Sequence, residues 1–407
     1  MPGERCLKLI VRLCLVLSMM SVLAASHCTG QTPAAAPNER DTAYALEQEG
    51  KNTEAEVAWR AVIKTHPSDA EAYAHLGFIE ARQEHYKDAV ISYRKALALK
   101  PAMPGLRLNL GLSLFKSGAL KDAIATFTVL LKSEPGSSPE SQRLKSLIGI
   151  AHYGLGEFAA AVPYLREAAA NDPQNLAFRL FLAHSCLASA QYNCVLDVYH
   201  EILLLNAESA EADMLAGEAM DELHDHDGAI QQFRAAIKAN PKEPTVHFGL
   251  GYLLWTQSQY EEAAKEFEAE LANVPDHAEA MAFLADSNIQ LNRPENARAL
   301  LEKALSIDPN VERAHLDLGI LDTDAGRKED ALRELNVAAK LVPDDINVHW
   351  RLARLYQSMG KKGEAKLEFD KTNNLHKAAD ETVLKKLHEA QAKGKPADAA
   401  PALPANP

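Results

Sequence analysis

Residues 222–228 read ELHDHDG, which crowds Glu222, His224, Asp225, His226 and Asp227 into one short stretch. Imidazoles and carboxylates are ligand types for a transition metal, so the stretch is a candidate metal centre for a metal-dependent enzyme. Consecutive residues in a turn rarely converge on one ion, and the competing reading is a solvated turn in an acidic chain. We carry the turn forward and assign no metal ligand. Cys186 and Cys194 are the only cysteines after Cys28. In an oxidising compartment they could bridge two neighbouring helices. They could equally be small apolar fillers, because the repeat position of Cys194 is expected to point outward. No HExxH, GxSxG, phosphate-binding loop or GxGxxG opening a helix is present, and no strand pattern either. The expectation is a protein that is not an enzyme, with no catalytic residue and no cofactor.

Large apolar side chains where water is expected are a third kind of signal. Helical periodicity of about 100° per residue sorts several segments into a packed seam and an opposite face. On that opposite face stand Leu108, Leu112 and Phe115, then Ile150 and Tyr153, then His184, and finally Phe248, Tyr252 and Trp255. Met214, Glu218 and Asp221 interrupt the run. Packing between neighbouring helices would absorb part of this surface. The Phe248, Tyr252, Trp255 trio exceeds what small neighbours need, and exposed apolar patches mark binding sites.

The elements that position these residues come from a 34-residue period. Copies lie at 36–69, 70–103, 104–137, 142–175, 176–209, 210–243, 244–277, 278–311, 312–345 and 346–379. Their eighth residue is always Gly or Ala (Ala43, Gly77, Gly111, Gly149, Ala183, Gly217, Gly251, Ala285, Gly319, Ala353). The twentieth is Ala except at Val195, and the twenty-fourth is always large and apolar, as in Trp59, Tyr93, Phe127 and Phe267. Proline holds the thirty-second place except at Ala207 and Lys377. Each half of a copy has apolar residues at i, i+3, i+4 and i+7 and predicts an amphipathic helix of about 13 residues. The small eighth residue lets two backbones approach. Proline ends the second helix because it lacks an amide.

The run Tyr73-x2-Leu76-Gly77…Ala89-x3-Tyr93…Pro101 resembles the tetratricopeptide repeat, and the resemblance recurs from 36 to 379. It implies an all-α, right-handed superhelical solenoid of about ten helix-turn-helix units, with first helices lining the concave side. It also implies a protein-interaction scaffold that holds a peptide or protein segment there. The alternative is a cell-envelope factor that binds glycan by stacking sugar rings on Trp255, Tyr252 and Tyr153. Departures from the period are informative. Ser138–Ser141 are extra, and are read as a longer turn or a hinge. Glu270 replaces a small or apolar residue, and Pro294 enters a turn. Residues 380–393 predict a separate capping helix with Val383, Leu384 and Leu387 on one face, and 394–407 predict a disordered Pro/Ala-rich tail.

Charge and the N-terminus bound the setting. The chain of 407 residues carries −13, and its body without residues 1–30 carries −15. Nucleic acid is thereby disfavoured, since phosphate contacts need clustered Lys and Arg. Arg5, Lys8 and Arg12 precede a 13-residue apolar run (13–25) and then small residues. This is the layout of a signal peptide over 1–30, followed by a linker over 31–35. The chain is expected to be exported, periplasmic or secreted, with no membrane span after cleavage. An uncleaved anchor or a lipidated Cys28 are the alternatives.

Overall fold

The computed structural model describes residues 38–392, apart from 135, 137 and 206–208. The expected signal peptide, linker and tail lie outside the described residues. Contacts divide the chain into two compact units meeting at His224 and Asp225. The first holds α1 (Glu39–Gln48), α2 (Asn52–Thr65), α3 (Ala70–Arg82), α4 (Tyr86–Leu99), α5 (Leu106–Lys116), α6 (Leu120–Leu131), α7 (Pro139–Gly154), α8 (Phe158–Asn171), α9 (Leu176–Ala188), α10 (Tyr192–Leu204) and α11 (Ala210–Glu222). The second holds α12 (His226–Ala239), α13 (Val246–Thr256), α14 (Tyr260–Asn273), α15 (Ala278–Gln290), α16 (Ala297–Ile307), α17 (Glu312–Asp324), α18 (Lys328–Leu341), α19 (Ile346–Ser358) and α20 (Lys362–Ala392). Every described element is helical, and each copy of the period supplies two helices.

The reason for the small eighth residue is visible in the packing. A Cβ on Gly111 would lie 2.5 Å from Cε1 of Phe127, and one on Gly251 would lie 2.8 Å from Cε1 of Phe267. Those aromatics are the twenty-fourth residues of the same copies, and both are fully buried. The large side chain therefore fills the space a missing Cβ leaves, at a density that tolerates little added volume. The core continues from copy to copy: Leu316, Leu335, Val348 and Leu352 form one cluster across α17, α18 and α19.

The turn within each copy follows one backbone rule. Its fifteenth residue has positive φ in all ten copies: Gly50, Gly118, Gly156, Gly326 and Gly360, but also Glu84, Ala190, His224, Ser258 and Asn292. An L-residue there costs roughly 1–2 kcal/mol. A second recurring device ties copies together at the fourth position. The Nδ1 atoms of His247, His315 and His349 lie 2.6, 2.7 and 2.6 Å from Glu266, Glu334 and Glu368. Their Nε2 atoms face the carbonyls of Pro241, Pro309 and Pro343, at the end of the preceding copy. Arg179 bridges Glu201 and the Pro173 carbonyl in the same manner.

Several departures resolve. The extra residues open α7, with Ser138 accepting from the Ser141 amide as N-cap and Pro139 at the first helical position. They lengthen a helix rather than a turn. Pro294 begins a three-residue 3-10 turn, after which α16 starts. The separate capping helix is corrected: residues 362–392 form one helix, and Leu384 is exposed. The physical reason is Lys377, which stands where proline closes eight of the other copies. Cys186 and Cys194 are joined by a disulfide, with Cα atoms 5.9 Å apart. Cys194 is buried, not outward-pointing. No described helix is long and apolar enough to cross a membrane.

Candidate binding surface

The first helices of the second unit place their opposite-face residues side by side. On α13, Phe248 stacks on His277 at 4.8 Å, and Tyr252 stacks on Trp255 at 6.0 Å. Phe283 of α15 meets Tyr252 and Trp255 edge-on at 5.4 and 5.1 Å. Trp255 is fixed from two further sides. Its Nε1 donates to Asp286 of α15, and the Arg313 guanidinium of α17 lies 4.7 Å above the ring. Trp255 and Phe248 are thereby half-buried, whereas Tyr252 remains 41% exposed.

Charged groups continue the surface beyond the rings. Arg313 lies 3.9 Å from Asp286 and 3.8 Å from Asp317. Asp317 is fully buried, and neither of its oxygens accepts a hydrogen bond among the described residues. Burial, reinforced by Asp286, pushes its carboxyl well above the usual range, and Arg313 only partly offsets this. Burial therefore favours the protonated form of Asp317. On α19, burial lowers the Arg351 pKa from that of a free guanidinium. Deeper in the same unit, fully buried Glu270 accepts from the Phe248 amide and lies 4.0 Å from His277. This accounts for a carboxylate where the period expects an apolar residue.

The first unit uses its opposite face differently. Phe115 and Ile150 are buried in the core, so these two predicted binding residues are corrected to packing residues. Leu108, Leu112 and Tyr153 are half-buried against that core. Tyr153 meets Phe181 at 4.8 Å, and His184 pairs with Glu211 at 2.8 Å. Burial raises the Glu218 carboxyl, with His184 opposing.

The ELHDHDG stretch is the turn of the sixth copy. His224 is its positive-φ residue, Asp225 caps α12 by accepting from the Gly228 amide, and Glu222 accepts from the Tyr192 hydroxyl. Among the described residues no three His, Cys, Asp or Glu side chains are gathered so as to hold a metal ion. Sequence reading missed Phe283, Asp286 and Arg313. They occupy the sixth, ninth and second positions of the next two copies, and a search over neighbouring first helices rather than one helix at a time would have joined them to Trp255.

Comparison with known proteins agrees with the period. A tetratricopeptide repeat model matches residues 40–104, 146–191, 196–244 and 248–312, and a second matches 80–148 and 288–349. The DnaJ protein P58IPK homolog A of Oryza sativa subsp. japonica is 24% identical over 346 residues, covering 81% of this chain and 67% of that protein. Cellulose synthase operon protein C of Xanthomonas axonopodis pv. citri (strain 306) is 26% identical over 328 residues, which is 77% of this chain and 18% of that protein. Among solved structures, a chain of the APC/C hetero-tetramer Cut9-Hcn1 aligns with a TM-score of 0.48 at 16% identity, over 74% of this chain and 59% of that one. With the repeat model matched over more than half of its residues, the chain belongs to the tetratricopeptide repeat family.

Proposed function

We propose that the protein is a non-enzymatic scaffold that holds a peptide or protein segment against the first helices of its second unit, outside the cytoplasm. One observation carries the reading: Tyr252 is 41% exposed at the top of an aromatic cluster whose other rings are buried or half-buried. Packing explains Phe248 and Trp255 but leaves the Tyr252 face unused. A rigid ring backed by fixed neighbours presents contact area at low entropic cost, which is how aromatic anchors come to dominate interfaces. Export rests on the residues of 1–30, and the Cys186–Cys194 disulfide supports it, because such bonds persist in oxidising compartments.

The test places a photoreactive residue at 252 in living cells, with the same residue at exposed Ile91 as control. A protein crosslinked from 252 and not from 91 is the expected result. Tyr252→Ala should weaken binding of that protein by about 2 kcal/mol while the melting temperature stays nearly constant. No protein crosslink, or strong destabilisation by Tyr252→Ala, sinks the reading. A glycan-binding role draws on the same exposed ring and on the likeness to the cellulose synthase operon protein. It predicts competition of the crosslink by soluble oligosaccharide.

A further inference from the structure

Arg94 and Arg234 are the twenty-fifth residues of their copies, and each reaches a carboxylate 28 residues further on. Arg94 meets Asp122 at 2.5 Å, and Arg234 meets Glu262 at 3.3 Å. Both acids are nineteenth residues and stand third in the second helix of the next copy. Arg166 of α8 is the twenty-fifth residue of the fourth copy, and 28 residues further on stands Cys194 of α10. The Arg166 guanidinium donates to the Cys194 Sγ at 3.0 Å. The register of the ion pair is kept, with sulfur in the place of the carboxylate.

That place favours an anion for a second reason. Cys194 is the third residue of α10, where backbone amides without helical partners and the helix dipole stabilise negative charge. Helices α6 and α14 put Asp122 and Glu262 there, whereas α10 has no acid in its first turn and no side-chain cap. Joined to Cys186, the Cys194 sulfur is neutral and gives the guanidinium no countercharge. A thiol beside arginine at a helix N-terminus ionises well below a free one. The two sulfurs also differ in access. Cys186 is fully buried, whereas Cys194 is 8% exposed at the rim of the core, beside exposed Arg166.

We propose that Cys186–Cys194 is a thiol–disulfide exchange site whose co-substrate is a dithiol, with Cys194 released as a thiolate held by Arg166. One thiolate of the dithiol attacks the Cys194 Sγ, the Sγ–Sγ bond breaks, and Cys186 leaves and takes up a proton. The second thiol, once deprotonated, attacks the dithiol's own sulfur in that mixed disulfide. A disulfide closes within the dithiol, which is thereby oxidised by two electrons, and Cys194 leaves with its electron pair. Of the dithiol's two protons, one ends on Cys186 and the other in solvent. The ion pair to Arg166 exists only in the reduced form, so it draws the equilibrium toward reduction. This chemistry goes beyond the scaffold reading and does not depend on it.

The experiment equilibrates the full chain with mixtures of reduced and oxidised dithiothreitol at pH 7. Acid quenching, alkylation and mass spectrometry of the peptide that holds both cysteines give the reduced fraction. Arg166 is exposed, so Arg166→Met should leave the helical circular dichroism unchanged. We expect Arg166→Met to need a ratio of reduced to oxidised dithiothreitol about tenfold higher for half reduction, with Arg166→Lys in between. Arg234→Met, which removes an ordinary ion pair, should not move that ratio. The second measurement is thiolate absorbance at 240 nm in the reduced chain at pH 6, after anaerobic removal of the reductant. An ordinary thiol, ionising near about 8.5, contributes little at that pH. The absorbance should be present in the natural protein and in Cys186→Ser, fall by at least half in Arg166→Met and vanish in Cys194→Ser. Equal half-reduction ratios for the natural chain and Arg166→Met, or no thiolate absorbance at pH 6, overturns the proposal. So does a pair that dithiothreitol reduces only when the chain unfolds.

Discussion

Asp317 is the side chain whose chemistry departs furthest from its solution behaviour. An unfolded aspartate ionises near 3.8, whereas burial and Asp286 keep Asp317 protonated in the fold well above that pH. The folded state then binds more protons than the unfolded one, so the stability contribution is complete below about pH 4 and is lost as pH rises. Asp317→Asn keeps the shape of the neutral acid and removes the titration. Its melting temperature relative to the natural protein should therefore rise between pH 4 and pH 8. A difference that stays flat over that range would show Asp317 ionised in the fold. Trp255 illustrates the opposite case, a ring whose hydrogen bond to Asp286 and cover by Arg313 make it part of the scaffold that fixes Tyr252.

At the level of helices and their turns, the positive-φ residue repeated in every copy sets where one helix ends and the next begins. Glu84 is exposed and has φ 62°. Replacing it by glycine removes about 1–2 kcal/mol of left-handed strain but adds about 0.4–1 kcal/mol of freedom to the unfolded chain. Glu84→Gly should therefore stabilise the protein by about 0.5–1 kcal/mol in urea unfolding, and Gly326→Ala should destabilise it by a similar amount. Loss of stability in Glu84→Gly would contradict the shared turn geometry. The same rule explains His224. Its imidazole belongs to a stretch that looks metal-binding in sequence, while its backbone fills a turn position that other copies give to glycine.

Within each unit, copies bury their apolar faces against their neighbours, so stability is a sum of local terms. Removing 346–407 uncovers Leu316 and Leu335, which pack with Val348 and Leu352 of the last copy. The shortened chain should melt earlier and be less soluble, yet keep the helical circular dichroism of the remaining copies per residue. Collapse of the helical signal throughout would show that the array folds as one indivisible core. The long α20 belongs to this picture. Without proline at 377 the helix continues past Thr372, and Glu381, Thr382, Leu384 and Lys385 are exposed.

Periodicity alone determined the helices, their pairing into hairpins and the steric role of the small eighth residue, because each depends on residues within one 34-residue copy. The positive φ of the turn was half legible, since glycine marks it in only five copies and the other five adopt it with a side chain in place. Tertiary structure decided what lies between copies. It buried Phe115 and Ile150, and within the fifth copy it joined Cys186 to Cys194. It also assembled Trp255, Phe283, Asp286, Arg313 and Asp317 from three helices. Exposure on a first helix depends on the side chains its neighbours contribute, and those lie some 30 residues away at positions that no single-helix pattern relates.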